Sequence, residues 1–308
     1  MKRLARGSTL TLALLLLAFG VSPASAAPDA CKVMAQAMLT PCREGSLADL
    51  WLARGKCHNL GNSAMQRSCS AEAVQEKNDA FGECADQLDA RMEACRQLGG
   101  GTYEPVIDPN DFVATIDNPL LPMTPGTTYV YETLTSDGLE HDVVEVTQNT
   151  RTILGVTCVE VHDSVSVDGV LEEDTLDWFA QDKLGNVWYF GENSLSLEDG
   201  LIVGVGGSWQ AGVDGAQPGI VMKAIPVVRS IYRQEFKLGT AEDMGEVLAL
   251  NQTETVPFGT FTNLLETRDF SPKEPDADEH KFYAPGVGVV LEIDLETGDR
   301  TELISVTP

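Results

Sequence analysis

The chain has 308 residues, 43% of them hydrophobic, and a formal net charge of −26. This length and apolar fraction are ordinary for globular chains and leave room for two domains with buried cores. The acidic excess argues against nucleic acid or an anionic lipid surface as a partner, because like charges repel. No nucleic-acid function is therefore predicted.

Residues 1–26 have the pattern of a secretory signal peptide. Three basic residues begin it, an apolar run ends near Phe19, and Ala24-Ser25-Ala26 forms a small-x-small cleavage site. No later stretch is long and apolar enough to cross a bilayer, so no membrane span is predicted. We expect a periplasmic or secreted protein. Without its signal peptide the chain would keep 18 basic and 47 acidic residues, a net charge of −29.

The next segment is rich in cysteine. Six of the seven cysteines lie between Cys31 and Cys95, and their successive spacings of 11, 15, 12, 15 and 11 residues form a mirror. In an exported chain, an even and ordered set of cysteines indicates a disulfide framework. Six cysteines permit 15 connectivities. The symmetry of the spacings predicts the pairs Cys31–Cys95, Cys42–Cys84 and Cys57–Cys69.

The same spacing indicates the local structure of this segment. Eleven residues make about three helical turns, roughly 16 Å of rise, so paired cysteines advance equally along two antiparallel helices joined near Gly61. The glycines at 99–101 end the second helix, and Pro41 is expected to bend or interrupt the first. We predict a Cys-rich helical hairpin over residues 27–101. A metal–thiolate centre is the alternative, but no CxxC pair is present.

After the glycines the sequence becomes strand-like. Alternating runs at Thr127–Leu134, Val143–Thr147, Cys158–Val167 and Thr175–Gln181 are separated by turn residues. Regular spacing of this kind is typical of an antiparallel sandwich or partial barrel. Residues 102–308 are predicted to form an acidic all-β domain, which makes the fold class α+β and multidomain. Cys158, the odd cysteine, is expected to be buried.

The β-domain is predicted to be built around the stretch Glu172–Glu192. Two aromatic-rich arms flank the connector Asp182–Asn186, in which Gly185 supplies the positive φ that a short turn needs. Aromatic residues occur on both faces of each arm, so a central hairpin is expected. These rings either pack in the core or line a pocket.

Four runs within residues 112–292 resemble a group of uncharacterised exported bacterial β-domain proteins. The runs are DNPLLP at 117–122, DWFAQDKLGNVWYFGE at 177–192, WQAGVDGA at 209–216 and YAPGVG at 283–288. The resemblance implies a single exported β-domain and implies no activity.

The leading functional prediction is a non-enzymatic protein that binds a small hydrophobic or lipid-like ligand. The glycine-rich stretch 204–226 would act as a cover, since long unpatterned connections are often binding loops. The residues predicted to bind the ligand are Trp178, Trp188, Tyr189, Trp209 and Asp214.

Two other functions remain open. A hydrolase could use Asp177 with Asp182 or Glu192 as acid and base, because carboxylates beside aromatic rings commonly surround sugars. A calcium-stabilised structural or adhesive module is suggested by the acidic runs at 172–174 and 276–280, although neither has EF-hand spacing. No cofactor other than this calcium ion is predicted.

Overall fold

The computed structural model describes residues 29–308, so the predicted signal peptide lies outside the described residues. Two helices begin the described chain, α1 (Ala30–His58) and α2 (Ser63–Leu98). The side chains of Asp29 and Asn62 cap their first turns by accepting backbone N–H groups. Pro41 lies inside α1 without ending it, so of the two expected effects, a bend or an interruption, the interruption was wrong. The adjacent Cys42 is bonded to Cys84, which holds this part of α1 against α2.

Three disulfides join the two helices with the predicted connectivity. Their Cα–Cα distances are 5.5 Å for Cys31–Cys95, 5.8 Å for Cys42–Cys84 and 5.6 Å for Cys57–Cys69. These distances are those of ordinary disulfides. The predicted helical hairpin is therefore confirmed, with its turn at residues 59–62.

Sixteen strands follow in the described part of the chain. They are β1 (Phe112–Val113), β2 (Thr128–Leu134), β3 (Leu139–Ile153), β4 (Val156–Val167), β5 (Val170–Asp182), β6 (Val187–Glu198), β7 (Leu201–Gly204), β8 (Trp209–Gln210), β9 (Gln217–Met222), β10 (Ile231–Arg233), β11 (Glu235–Phe236), β12 (Met244–Val256), β13 (Gly259–Phe270), β14 (Asp278–Ala284), β15 (Gly288–Asp294) and β16 (Arg300–Thr307).

Thirteen of these strands form one antiparallel path in the order β10-β12-β13-β14-β15-β16-β2-β3-β4-β5-β6-β9-β11. The two ends of the path, β10 and β11, are separated in the chain by Gln234 alone. The sheet must therefore curl until its ends meet, which gives a nearly closed barrel. Of the two predicted architectures, the partial barrel is the one observed.

Close approach of two backbones at Gly219 allows the barrel to close. A Cβ atom built on Gly219 of β9 would lie 2.4 Å from the carbonyl carbon and oxygen of Gln234. Only glycine lets these two backbones approach so closely. The position of Gly219 thus brings the end strands β10 and β11 against β9.

The stretch 172–192 forms the predicted hairpin of β5 and β6, which is not at an edge of the sheet because β4 pairs with β5 and β9 with β6. The stretch 204–226 is not the unpatterned connection that was expected, since it contains β8 and β9, both hydrogen-bonded to β6. Its role as a cover over a ligand stays a prediction. Its strands are short and are separated by turns at Gly212 and Gly215, both of which have positive φ. Because turns interrupt this stretch so often, the alternation of apolar and polar residues that identifies a strand cannot be seen in its sequence.

A large apolar cluster occupies part of the barrel interior. Its members come from strands around the whole path, among them Tyr131, Val161, Leu265 and Leu303, so the cluster lies on the inner face. A second cluster includes Trp178 and Phe190, which lie on the opposite face of the hairpin. The hairpin is thus covered on both sides, as its two-sided aromatic pattern indicated.

A buried ion pair docks the helices on the barrel. Arg91 of α2 donates to Glu242 through Nε and Nη2, at 2.7 to 3.1 Å, and both side chains are less than 5% exposed. The backbone N–H of Gly239 donates to the same carboxylate at 2.8 Å.

Among the described helices, none has the length and hydropathy needed to span a membrane.

Candidate functional site

One cavity lies where the helices meet the barrel, and we refer to it as the junction cavity. Its volume is about 620 Å³. The first turn of α1, the end of α2, the connector 100–105 and the strands β9 to β11 enclose it. Its apolar wall includes Met34, Leu98, Trp188, Ile220, Ile231 and Phe236.

Arg233 of β10 also lines the junction cavity. Its side chain is 6% exposed, and the guanidinium carbon lies 4.4 Å from the ring centre of Phe236 and 5.5 Å from that of Tyr103. Within residues 29–308, neither Nε nor Nη1 has a hydrogen-bond partner. Burial lowers the pKa of Arg233, although the nearby Glu242 carboxylate opposes the shift. The wall therefore combines apolar surface with one buried cation.

A second cavity, of about 350 Å³, lies inside the barrel, and we refer to it as the interior cavity. The Tyr189 hydroxyl donates to Asp177 at 2.5 Å or to Glu192 at 2.7 Å, so these two carboxyls converge on one phenol. Burial raises the pKa of Glu192 to about 7 and that of Asp177 well above its ordinary value. The pair can therefore retain a proton near neutral pH.

Further charged groups border the interior cavity. Glu235, Asp243 and Asp269 line it together with Lys281. The Lys281 ammonium lies 3.5 Å from Asp269 and 3.2 Å from Glu292. Burial opposes its charge, but the surrounding carboxylates raise the pKa of Lys281 well above its usual range. This lysine partly neutralises an otherwise acidic interior.

The five residues predicted to bind a ligand do not share one pocket in the structure. Trp188 lines the junction cavity, whereas Tyr189 lines the interior cavity, because successive side chains of β6 point to opposite faces. Trp178 and Trp209 are 1% and 3% exposed and belong to the second apolar cluster, in which the Trp209 ring meets that of Tyr189 edge-on, with ring centres 5.4 Å apart. Asp214 is exposed in a turn at φ 49°.

The predicted acid–base residues are also divided. Asp177 and Glu192 face the interior cavity, while Asp182 lies in the hairpin turn. The Asp182 carboxylate accepts the backbone N–H groups of Leu184 and Asn186 and the indole N–H of Trp188, all at 2.9 Å. Asp182 is thereby engaged in holding the turn.

The acidic runs proposed for calcium have other partners. Asp174 contacts His162 at 2.5 Å, and Asp278 accepts two hydrogen bonds from Arg268. Over residues 29–308, no group of three or more His, Cys, Asp or Glu side chains is arranged to hold a metal ion. The calcium alternative therefore gains no support.

Sequence reasoning overlooked Arg233. The signal that could have found it is a basic residue within Ile231-Tyr232-Arg233-Gln234-Glu235-Phe236, a short run bounded by apolar and aromatic residues. Large rings on both sides of an arginine favour stacking on its guanidinium. The run was too short to be recognised as strand.

No protein-family model and no curated protein matches this chain. Two solved structures are similar to it. One is a candidate exported protein with a YmcC-like fold from Bacteroides fragilis, with 15% identity and a TM-score of 0.36, covering 61% of this chain and 99% of its own. The other is a candidate lipoprotein from Parabacteroides distasonis, with 15% identity and a TM-score of 0.33, covering 61% and 98%. Neither similarity assigns a role to a residue of this chain.

Proposed function

We propose that this chain is an exported binding protein that holds a small hydrophobic or lipid-like molecule in the junction cavity. The observation that carries the proposal is the cavity of about 620 Å³, whose wall is largely apolar. Sites for small molecules commonly measure about 300–1,000 Å³ and combine apolar walls with a few polar groups. The junction cavity has both properties.

Export is supported by the disulfides. Three of them lie within residues 31–95, and such bonds persist in oxidising compartments. The predicted signal peptide points to the same compartments. A periplasmic or secreted location would expose the protein to lipids and other apolar molecules of the cell envelope.

The disulfides also support the shape of the site. Cys31 lines the junction cavity and is bonded to Cys95 near the end of α2. This bond fixes the first turn of α1 against the last turns of α2, which form one wall of the cavity. A wall held in this way needs little reordering when a ligand enters, and preorganisation favours affinity.

Binding can be measured with N-phenyl-1-naphthylamine, a neutral dye whose emission rises in apolar surroundings. We expect saturable binding to the whole protein. Met34→Trp should weaken it, because the larger side chain occupies part of the cavity. Val33→Trp is the matched control, since Val33 is 54% exposed on α1 and does not line the cavity. Equal dye binding by both variants, or none by the wild type, would refute the proposal.

The interior cavity favours one second candidate, hydrolysis by paired carboxyls. Asp177 and Glu192 contact the Tyr189 hydroxyl at 2.5 and 2.7 Å, so two of their oxygens are at most 5.2 Å apart. Retaining glycosidases place their two carboxyl groups about 5–5.5 Å apart. Chromogenic aryl glycosides test this function. Turnover lost in Asp177→Asn and Glu192→Gln would support it, and no turnover by the wild type would leave binding as the sole candidate.

A further inference from the structure

The guanidinium of Arg233 is a buried positive charge without a hydrogen-bonded counterion. Its Nε and Nη1 atoms lack an acceptor anywhere in residues 29–308, and the side chain is 6% exposed. Stacking on Phe236 and Tyr103 offers attraction to the ring faces but no acceptor for the N–H groups. Buried charges in proteins are ordinarily paired, because leaving one unpaired is strongly destabilising.

The neighbouring polar groups are already engaged. Both oxygens of Glu242 accept from Arg91, and one also accepts the N–H of Gly239. The Tyr103 hydroxyl donates to the carbonyl oxygen of Pro218 at 2.9 Å. Glu104 lines the same cavity but is exposed, so water solvates its carboxylate. None of these groups accepts a hydrogen bond from Nε or Nη1 of Arg233, although the Glu242 carboxylate is near enough to attract its charge.

We propose that Arg233 binds the anionic headgroup of the ligand, so that the junction cavity takes an amphipathic anion, a carboxylate or phosphate ester with one apolar chain. This inference rests on the proposed binding function and specifies its ligand class. The apolar chain would lie against Met34, Leu98 and Ile231, which line the same cavity. A guanidinium is weakly hydrated and matches the oxygens of carboxylate and phosphate, which suits it to a buried anion site.

Three probes with the same ten-carbon chain test the inference: decanoic acid, decyl phosphate and 1-decanol. Each competes with N-phenyl-1-naphthylamine for the whole, disulfide-bonded protein. We expect at least one of the two anions to bind the wild type at least ~10-fold more tightly than 1-decanol, as a hydrogen bond to a charged group allows. The preferred anion identifies the headgroup.

Arg233→Met keeps much of the side chain's apolar length and removes its charge. We expect this variant to bind 1-decanol as the wild type does and to lose the preference for anions. Its melting temperature without ligand should be unchanged or higher, because an unpaired buried charge is gone. A purely structural role for Arg233 would lower that temperature.

Arg151→Met is the matched control. Arg151 also stacks on an aromatic ring, 4.0 Å from the centre of Trp178, but it does not line the junction cavity. The anion preference should survive in this variant. Equal affinity of the wild type for all three probes would overturn the inference and leave the proposed function standing. Failure of every probe to bind, together with failure of the dye, would overturn both.

Discussion

At the residue scale, Asp182 shows how one carboxylate can fix a turn. It is 8% exposed and accepts four hydrogen bonds, from Leu184, from the backbone and side chain of Asn186, and from Trp188. These bonds set the connector between β5 and β6 and orient the Trp188 ring, which lines the junction cavity. Asp182 therefore affects the junction cavity indirectly, by positioning the Trp188 ring.

Replacing Asp182 tests this role. Asp182→Ala leaves the N–H groups of Leu184 and Asn186 and the Trp188 indole without their acceptor. We expect the free energy of unfolding to fall by about 2–4 kcal/mol, since unsatisfied buried donors cost about 1–3 kcal/mol each and partial hydration offsets some of that cost. Urea denaturation measures the change. Asp137→Ala, at an exposed turn, is the control and should have little effect. An equal loss in both variants would contradict the account.

The side chains around Asp182 also show what sequence could reveal at this scale. Alternation along β6 predicts that Trp188 and Tyr189 point to opposite faces, and they do. It does not say which face borders a cavity, because that depends on elements far away in sequence, such as α1 and β10. The engagement of Asp182 in the turn was equally invisible, since an Asp in a connector can also point into solvent.

At the element scale, barrel closure depends on the approach of β9 to the link between β10 and β11. Gly219→Ala would place a methyl group 2.4 Å from the backbone of Gln234, a distance that no relaxed structure accommodates. We expect β11 to separate from β9, the junction cavity to open, and stability to fall by about 1–3 kcal/mol, as overpacking typically costs.

Hydrogen exchange measures this separation at the backbone amides of β9 and β11. Faster exchange confined to these strands is the expected result. Gly206→Ala is the control, since Gly206, like Gly219, does not have positive φ, and a Cβ there meets no atom within 4 Å. The same exchange pattern in both variants would mean that the loss of a glycine, and not close approach to Gln234, explains the effect.

The helical hairpin is the element that sequence determined best. The mirrored spacing of six cysteines specified both the helices and their pairing, because equal spacing places partners at equal height. The strands β8 and β9 were missed for the opposite reason. They are two and six residues long, and their pairing to β6 arises from contacts distant in sequence that no local period records.

Reduction separates the contributions of the two parts of the fold. We expect dithiothreitol to unfold α1 and α2, because the hairpin buries little apolar surface and depends on its disulfides. The barrel should remain folded, since Cys158, its only cysteine, is a free thiol with 0% exposure, and burial raises its pKa to about 12. Far-UV circular dichroism should lose helical signal and keep strand signal. Simultaneous loss of both signals would contradict the expectation.

At the scale of the whole molecule, the acidic excess is partly buried inside the barrel. Burial raises the pKa of the Asp142, Asp163, Asp177 and Glu235 carboxyls, and it raises that of Glu192 to about 7. The sequence revealed the net charge but not this placement. Acidic residues are ordinarily expected on the surface.

A carboxyl whose pKa is raised by folding binds its proton more tightly in the folded state. Its contribution to stability is complete below the unfolded pKa and is lost as pH rises to the folded pKa. For Glu192 this window runs from 4.5 to about 7. We therefore expect stability to fall across this range, by at most about 1.4 kcal/mol per pH unit from one group.

Urea denaturation between pH 4.5 and 8 measures this dependence. Glu192→Gln should flatten the decline within its window, because an amide does not titrate. Glu198→Gln, at an exposed position on the same strand, should leave the decline unchanged. A free energy of unfolding that rises with pH over this range would contradict the expectation. It would show that folding does not raise the pKa of the interior carboxyls.

The claim that joins these scales is that the junction cavity holds an amphipathic ligand. The most direct measurement is a crystal structure with 11-bromoundecanoic acid, in which the anomalous signal of bromine locates the end of the chain. The account predicts a bromine peak inside the junction cavity, with the carboxylate against Arg233. A peak in the interior cavity, or on the exposed surface only, would contradict it.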